Sequence, residues 1–332
     1  MKHPQLVVKI IYSLCLSLFM ACSTSHEPVN LIFDTDMAPD YDDVGALAIL
    51  HAMADSGEVK ILATLSSNKC ETAVPCIEVI NTYFGRGNIP TGAVKGEGVD
   101  LTTWHSGLRW TDELPSLYPH STRSTSQSED ALTIYRRILS SQPDNSVTIV
   151  TVGFLSNLKN LLLSGPDEIS PLSGKELVRK KVKELVSMTG MFPEGKEFNV
   201  KEDAKASQIV FSEWPTPITL SGFEIGSKIL TGKRLASSEK IGNPVIDTYT
   251  MCLAQDNPNG RESWDQTAVL AAVHGIRDYF DIERGTMAVY DDGSNSWEKD
   301  ENGNHSRLVF KMQPEQIGKI IEDMMLHEPV KK

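Results

Sequence analysis

Positive charge is missing from the part of this chain that most needs it. From residue 31 to residue 58 there is no lysine and no arginine, yet Asp34, Asp36, Asp40, Asp42 and Asp43 crowd into ten residues of that stretch. Over the whole chain acids outnumber bases, 44 against 32, and the formal charge is −12. Nucleic-acid polymers are bound through lysine and arginine, so an acidic surface excludes them as partners but leaves small ligands open. Cysteine is scarce, with five in 332 residues, and no spacing suits a zinc site. The apolar run at residues 10–20 is too short to cross a bilayer, which takes roughly 20 residues. There is no internal repeat and no linker that would force a division into domains.

Residues 1–21 read as an export signal. Lys2 and Lys9 provide a positive start, residues 10–20 an apolar stretch, and Leu18-Phe19-Met20-Ala21 precedes Cys22 and a polar run. The pattern resembles a bacterial lipoprotein signal in which Cys22 becomes the lipidated first residue. Ordinary secretory cleavage and a signal-anchor are the alternatives. Each route places the protein outside the cytoplasm; the lipoprotein route puts it on the periplasmic or cell-surface side, with membrane attachment through the lipid anchor only. Residues 22–28 then serve as a tether and residues 29–332 as one domain. Loss of Lys2 and Lys9 takes the formal charge from −12 to −14. Cys70, Cys76 and Cys252 remain, an odd number for an oxidising compartment. Cys70 and Cys76 either pair around the start of a helix or stay as buried thiols.

The rest of the chain is organised around residues 31–50. Leu31-Ile32-Phe33 reads as the end of a buried strand, the aspartates as a loop, and Val44, Leu47, Ile49 and Leu50 as the apolar side of a helix. Open α/β sheets carry their chemistry on such loops, beyond the carboxyl ends of the strands. An Asp before a helix is ordinarily an N-cap, which suits Asp42 or Asp43, and Asp34 or Asp40 suits a turn. These uses account for two or three of the five. Carboxylates this close repel one another unless a cation stands among them. Oxygen-only ligands favour a hard ion, Ca²⁺ or Mg²⁺, over zinc.

Strand and helix signals then alternate. Strands are expected at 59–65, 88–93, 146–152, 184–188 and 217–220, and helices at 71–84, 130–139, 203–214, from 263 onward and at 314–326. The polar stretch 95–129, with Trp104, His105 and Trp110, has the length of a lid or binding loop. Segments 287–290 and 307–311 read as a small C-terminal β-hairpin. The alternation predicts an α/β fold, Rossmann-like, with a mainly parallel sheet flanked by helices.

The acidic loop, Val152-Gly153-Phe154-Leu155-Ser156-Asn157, Glu197-Phe198-Asn199 and Trp264-Asp265 follow one another in this order. In this the chain resembles the inosine-uridine preferring nucleoside hydrolase family, over residues 29 to about 275. The resemblance implies a Ca²⁺ at the strand ends, hydrolysis of the N-glycosidic bond of ribonucleosides, and assembly into a homo-oligomer. By position, Asp36 would bind the ion and act as base toward the attacking water. Asp42 and Asp43 match an adjacent pair that holds the ribose hydroxyls and the metal, with Asp40 as a further ligand. Val152 would offer its backbone carbonyl to the metal, and Asp265 would be the last ligand. Glu197 and Asn199 resemble the ribose-binding pair, with Asn68 as a supporting polar residue.

The chemistry suits these residue types. Cleavage at an anomeric carbon passes through an oxocarbenium-like state that carboxylates stabilise, while a neighbouring carboxylate takes the proton of the water. Two departures stand out. The acidic loop is two residues longer than the family's DxDPGxDD form, and Trp264 stands where well-studied members place a proton-donating His. Indole is no acid at neutral pH, but it can stack on a base. Tyr41, His105 or Glu194 would then have to protonate the leaving group, or the substrate would need little help, as with a nicotinamide riboside. The alternatives are a nucleoside- or sugar-binding lipoprotein without turnover and a haloacid-dehalogenase-like phosphatase. For the latter, Phe33-Asp34-Thr35-Asp36 fits superficially and Met37-Ala38-Pro39-Asp40 fits poorly.

Overall fold

Residues 31–33 are apolar without interruption because their strand is covered on both faces. Leu31 and Phe33 join one hydrophobic cluster, and Ile32 joins the other. The computed structural model describes residues 27–330 apart from 106, 108 and 277, so the signal and Cys22 lie outside the described residues.

In chain order the strands are β1 (Val29–Thr35), β2 (Val59–Ser66), β3 (Thr91–Ala93), β4 (Glu129–Asp130), β5 (Val147–Thr151), β6 (Val182–Met188), β7 (Glu194–Gly195), β8 (Ile218–Ser221), β9 (Leu230–Thr231), β10 (Arg261–Glu262), β11 (Phe280–Val289), β12 (Asn295–Lys299) and β13 (His305–Phe310). Eleven of them form one sheet in the order 4-3-2-1-5-6-8-13-11-12-7, and β9 pairs with β10 apart from it. Pairing is parallel from β4 through to β13 and antiparallel from there to β7. Strand order runs one way from β1 through β2 and the other way from β1 through β5. A crevice opens where the order reverses, at the carboxyl ends of β1 and β5.

The fold agrees with the Rossmann-like α/β expectation and enlarges its edges. The polar stretch 95–129 contains a helix, Trp110–Leu117, whose Trp110 and Leu114 are buried beside the helix Ala73–Tyr83. At the C-terminal end the antiparallel unit has three strands. Met287 lies opposite Trp297 of β12, and Arg307 opposite Glu283 of β11, so segments 287–290 and 307–311 are not each other's partners. Their charged connection supplies β12, and β13 joins the whole unit to β8. Cys70, Cys76 and Cys252 are free and buried, which settles the pairing of Cys70 and Cys76 in favour of thiols. Among the described residues no helix is long and apolar enough to cross a membrane.

Candidate active site

Alternation along β1 sorts the first aspartates. Asp34 turns to one side of the sheet, where it accepts hydrogen bonds from Tyr135 Oη at 2.8 Å and from Asn157 Nδ2 at 3.1 and 3.2 Å. Burial pushes its carboxyl up to about 7, and it has no part in the cleft. Asn157 also donates to the carbonyl of Ser66 at 3.0 Å, tying β1 to β2. Thr35 turns to the other side and donates its hydroxyl to Asp43. Asp36 stands beyond the strand end and faces the crevice.

The loop that follows is strained at Ala38, whose φ of 145° is a conformation alanine resists. Strain of this kind persists where the surroundings impose it, typically at functional sites. The helix Asp42–Asp55 has no side-chain cap of its own. Asp42 instead caps another helix: its Oδ2 accepts from the backbone N–H groups of Trp264 and Asp265, at 3.2 and 3.3 Å, where Trp264–His274 begins. Its Oδ1 accepts from Arg261 Nε and Nη2 at 3.2 and 2.9 Å. Asp40 takes the same guanidinium, at 2.6 Å from Nη2.

Arg261 is thus the cation that the acidic stretch lacks, supplied from β10. Its signal in the sequence was its position three residues before Trp264, yet no local pattern joins it to Asp40. The guanidinium also lies 5.0 Å from the ring centroid of Trp264 and 5.3 Å from that of Tyr41.

Asp36, Asp40, Asp42, Glu197, Asn199 and Asp265 line the deep part of the cleft together with Val152 and Arg261. Its outer part is aromatic: Trp104 and Phe223 are 50 % and 36 % exposed, with Phe198 and Trp264 beside them. Glu197 caps the short helix Phe198–Glu202, accepting from Asn199 N at 2.7 Å and Val200 N at 3.2 Å, and also from Gly190 N at 3.2 Å. Burial still pushes its carboxyl up to about 7. Asn199 donates to the carbonyls of Val152 and Met188, at 3.0 and 3.2 Å. Desolvation, reinforced by Asp43 and Asp40, raises Asp36 well above the usual carboxylate range. Asp265 rises for the same reason beside Asp42 and Asp43, and Asp43 is pushed up to about 7.

Two of the expected site residues are not in the cleft lining. Asp43 lies beneath it, with Oδ1 taken by the Thr35 hydroxyl and Oδ2 left for an ion. Asn68 is fully spent on the backbone, donating to Asp36 O and Leu101 O at 3.0 and 2.7 Å and accepting from Cys70 N and Leu101 N at 3.1 and 3.0 Å. Its place is to hold the Asp36 loop, not to meet a ligand. The three substitute acids are not in the cleft lining either. Tyr41 donates its hydroxyl to Asn257 at 3.0 Å, and burial raises its phenol further from neutrality. His105 is buried between Thr103 and Asp256, at 2.9 and 2.8 Å, and Glu194 is exposed on β7.

A hard cation fits this donor set by its chemistry. Asp36, Asp43, Asp265 and the Val152 carbonyl offer oxygen only, and Arg261 is committed to Asp40 and Asp42. The donors are not drawn into a finished cage: among the described residues no three His, Cys, Asp or Glu side chains are grouped to hold an ion.

A carboxylate floor under an aromatic rim, at the switch point of a parallel sheet, suits a ligand with a polyhydroxylated ring and a flat group attached to it. Residues 31–317 match the family described as inosine-uridine preferring nucleoside hydrolase, and the chain belongs to that family. It is an N-glycosyl hydrolase of the nucleoside hydrolase type. Solved structures share its fold. The plant nucleoside hydrolase PpNRh1 is 19 % identical over 90 % of this chain and 99 % of its own, with a TM-score of 0.66. The inosine-uridine preferring nucleoside hydrolase of Bacillus anthracis is 18 % identical over 90 % and 99 %, also at 0.66. The purine-preferring ribonucleoside hydrolase of Gardnerella vaginalis is 16 % identical over 89 % and 98 %, at 0.67. No curated protein matches the sequence.

Proposed function

We propose that this chain is an exported lipoprotein that hydrolyses the N-glycosidic bond of a ribonucleoside or related N-riboside in a Ca²⁺-dependent reaction, releasing base and ribose. One observation carries the reading: a single cleft sets buried carboxylates and the amide of Asn199 beneath exposed aromatic rings. A ribose, with its hydroxyls, matches the first surface, and a flat base matches the second. Export and lipidation at Cys22 rest on residues 1–22 of the sequence alone.

Asp36, Asp43, Asp265 and the Val152 carbonyl would hold the ion, and Asp40 would reach it only through the oxygen that Arg261 leaves free. When bound, Ca²⁺ supplies the charge that gathers a water and the vicinal hydroxyls of the sugar. Asp36 takes the proton of the attacking water. Asn199 orients the ribose, Asp42 braces that side of the cleft through Arg261 and the start of the helix Trp264–His274, and Glu197, anchored by three backbone N–H groups, faces the sugar with a fixed carboxyl. The electron-rich floor stabilises positive charge at the anomeric carbon as the bond to the base lengthens. Trp264 and its aromatic neighbours stack on the base.

The test is release of reducing sugar from a panel of ribonucleosides by residues 23–332, with and without a Ca²⁺ chelator. Turnover is expected to vanish with the chelator and to fall at least ~100-fold in Asp36→Asn. Tight nucleoside binding with no product would identify a binding protein, and chelator-resistant turnover would remove the metal from the mechanism.

A further inference from the structure

We propose that Arg261 stabilises the departing base, through the Nη1 end of its guanidinium, in place of a proton donor. The inference rests on the hydrolase reading and concerns the leaving group only.

Arg261 lines the cleft while being 94 % exposure-free, at 6 % relative exposure. Nε and Nη2 are taken by Asp42 and Asp40, and among the described residues Nη1 has no hydrogen bond. The same residue is stacked between Trp264, a cleft wall, and Tyr41, and β9 fixes its backbone through the pairing of Arg261 with Thr231. One end of the fork is therefore held and the other is left with two N–H donors, beside the ring on which a base would lie. Tyr41, His105 and Glu194 stand outside the lining, so no side chain among them reaches that position.

Arginine does not give up its proton, so its contribution is a charged hydrogen bond and not acid catalysis. In the step it serves, the water oxygen bonds to C1′ and a water proton passes to Asp36. The bond from C1′ to the base nitrogen breaks, and its electron pair leaves with the base. That charge spreads onto ring nitrogen or carbonyl oxygen acceptors, where Nη1 meets it. The base then takes a proton from solvent, and Asp36 returns its own. Asp40 and Asp42 neutralise Arg261 at longer range, and Asp36, Asp265 and Glu197 line the same cleft, so a phosphate is a poor match and a neutral base bearing an acceptor is a good one.

The consequence separates substrates by their leaving groups. Inosine and uridine expel a base that becomes electron-rich. Nicotinamide riboside expels neutral nicotinamide and develops no negative charge for an arginine to meet. Steady-state kcat/KM is measured for wild type, Arg261→Gln and Arg261→Lys on all three substrates, with thermal melting of each protein. Arg261→Gln is expected to lose about 100- to 1,000-fold on inosine or uridine and less than about 10-fold on nicotinamide riboside. Arg261→Lys is expected to recover part of the loss on inosine or uridine. Equal losses on all three substrates would overturn the proposal and leave Arg261 a partner of Asp40 and Asp42. A wild type that cleaves nicotinamide riboside but neither nucleoside would overturn it too. A wild type that cleaves none of them would overturn the hydrolase reading itself, and the proposal with it.

Discussion

Gly153 lacks a side chain because Asp36 occupies the space. A Cβ at that position would lie 2.2 Å from the backbone nitrogen of Asp36 and 2.6 Å from its Cβ. Both partners are held, Asp36 by Asn68 at its carbonyl and Gly153 at the end of β5, so the loop cannot yield cheaply. Gly153→Ala should therefore move the carboxyl of Asp36, and displacement by about 1 Å costs roughly 100-fold in rate. The cost in stability should be smaller, about 1–3 kcal/mol, as for other overpacked sites. Comparing kcat/KM with the urea midpoint checks this; a variant that loses stability and keeps its rate would show that the loop adjusts. At this scale the sequence was informative about residue type and silent about partners. The acidic cluster announced a site, but Asp34 belongs to the sheet interior, because in an unbroken apolar strand nothing marks which face each residue takes. Arg261 was hidden by distance, 219 residues from Asp42.

Helix positions were easier to read than helix partners. The apolar spacing located Asp42–Asp55 and Ala73–Tyr83, while His51 and Asn81 gave no hint that they join these helices. His51 Nε2 meets Asn81 Oδ1 at 2.9 Å, and its ring stacks on Phe84 with centroids 4.7 Å apart. Burial drops its pKa from 6.5 to about 3. Between these values the unfolded chain binds a proton that the folded chain refuses, so His51 removes stability as pH falls through that window. The slope from this one group approaches about 1.4 kcal/mol per pH unit. His51→Gln keeps a polar partner for Asn81 and removes the titration, so its stability should fall less steeply than that of wild type from pH 6.5 to pH 4.5. Parallel slopes in urea titrations at several pH values would contradict a neutral buried His51. The helices Trp110–Leu117 and Pro244–Leu253 escaped notice for different reasons. The first is short, interrupted by Pro115, and anchored by three buried residues, Trp110, Thr111 and Leu114. The second opens on Asn243-Pro244, a cap and first-turn proline that are legible in the sequence as a helix start.

Across the whole molecule, the alternation of strands and helices was enough to define the fold class, because a parallel sheet needs a helical crossover at each step. The cleft then follows from strand order, and the strand order was not legible, since pairing joins segments far apart in the chain. The resulting architecture gathers Asp36, Asp43 and Asp265 into the interior at a cost to folding, because burial and neighbouring aspartates raise all three. A cation that binds only the folded state would offset that cost in proportion to its occupancy. If Ca²⁺ is the ion, saturation to about 100 times Kd should add about 2.7 kcal/mol, or roughly 5–10 °C in Tm for a chain of this size. Asp265→Asn separates this from general salt effects, because it alters both terms in opposite directions. Without Ca²⁺ the variant should melt no lower than wild type, since one repelling carboxyl has gone. With Ca²⁺ its gain should be smaller, since one ligand has gone as well. Differential scanning calorimetry of both proteins, with chelator and with excess Ca²⁺, reads both terms at once. A wild type whose Tm is indifferent to Ca²⁺, or a variant that gains as much as wild type, would mean that the three buried aspartates are held apart by protein contacts alone and that the cleft works without an ion at this position.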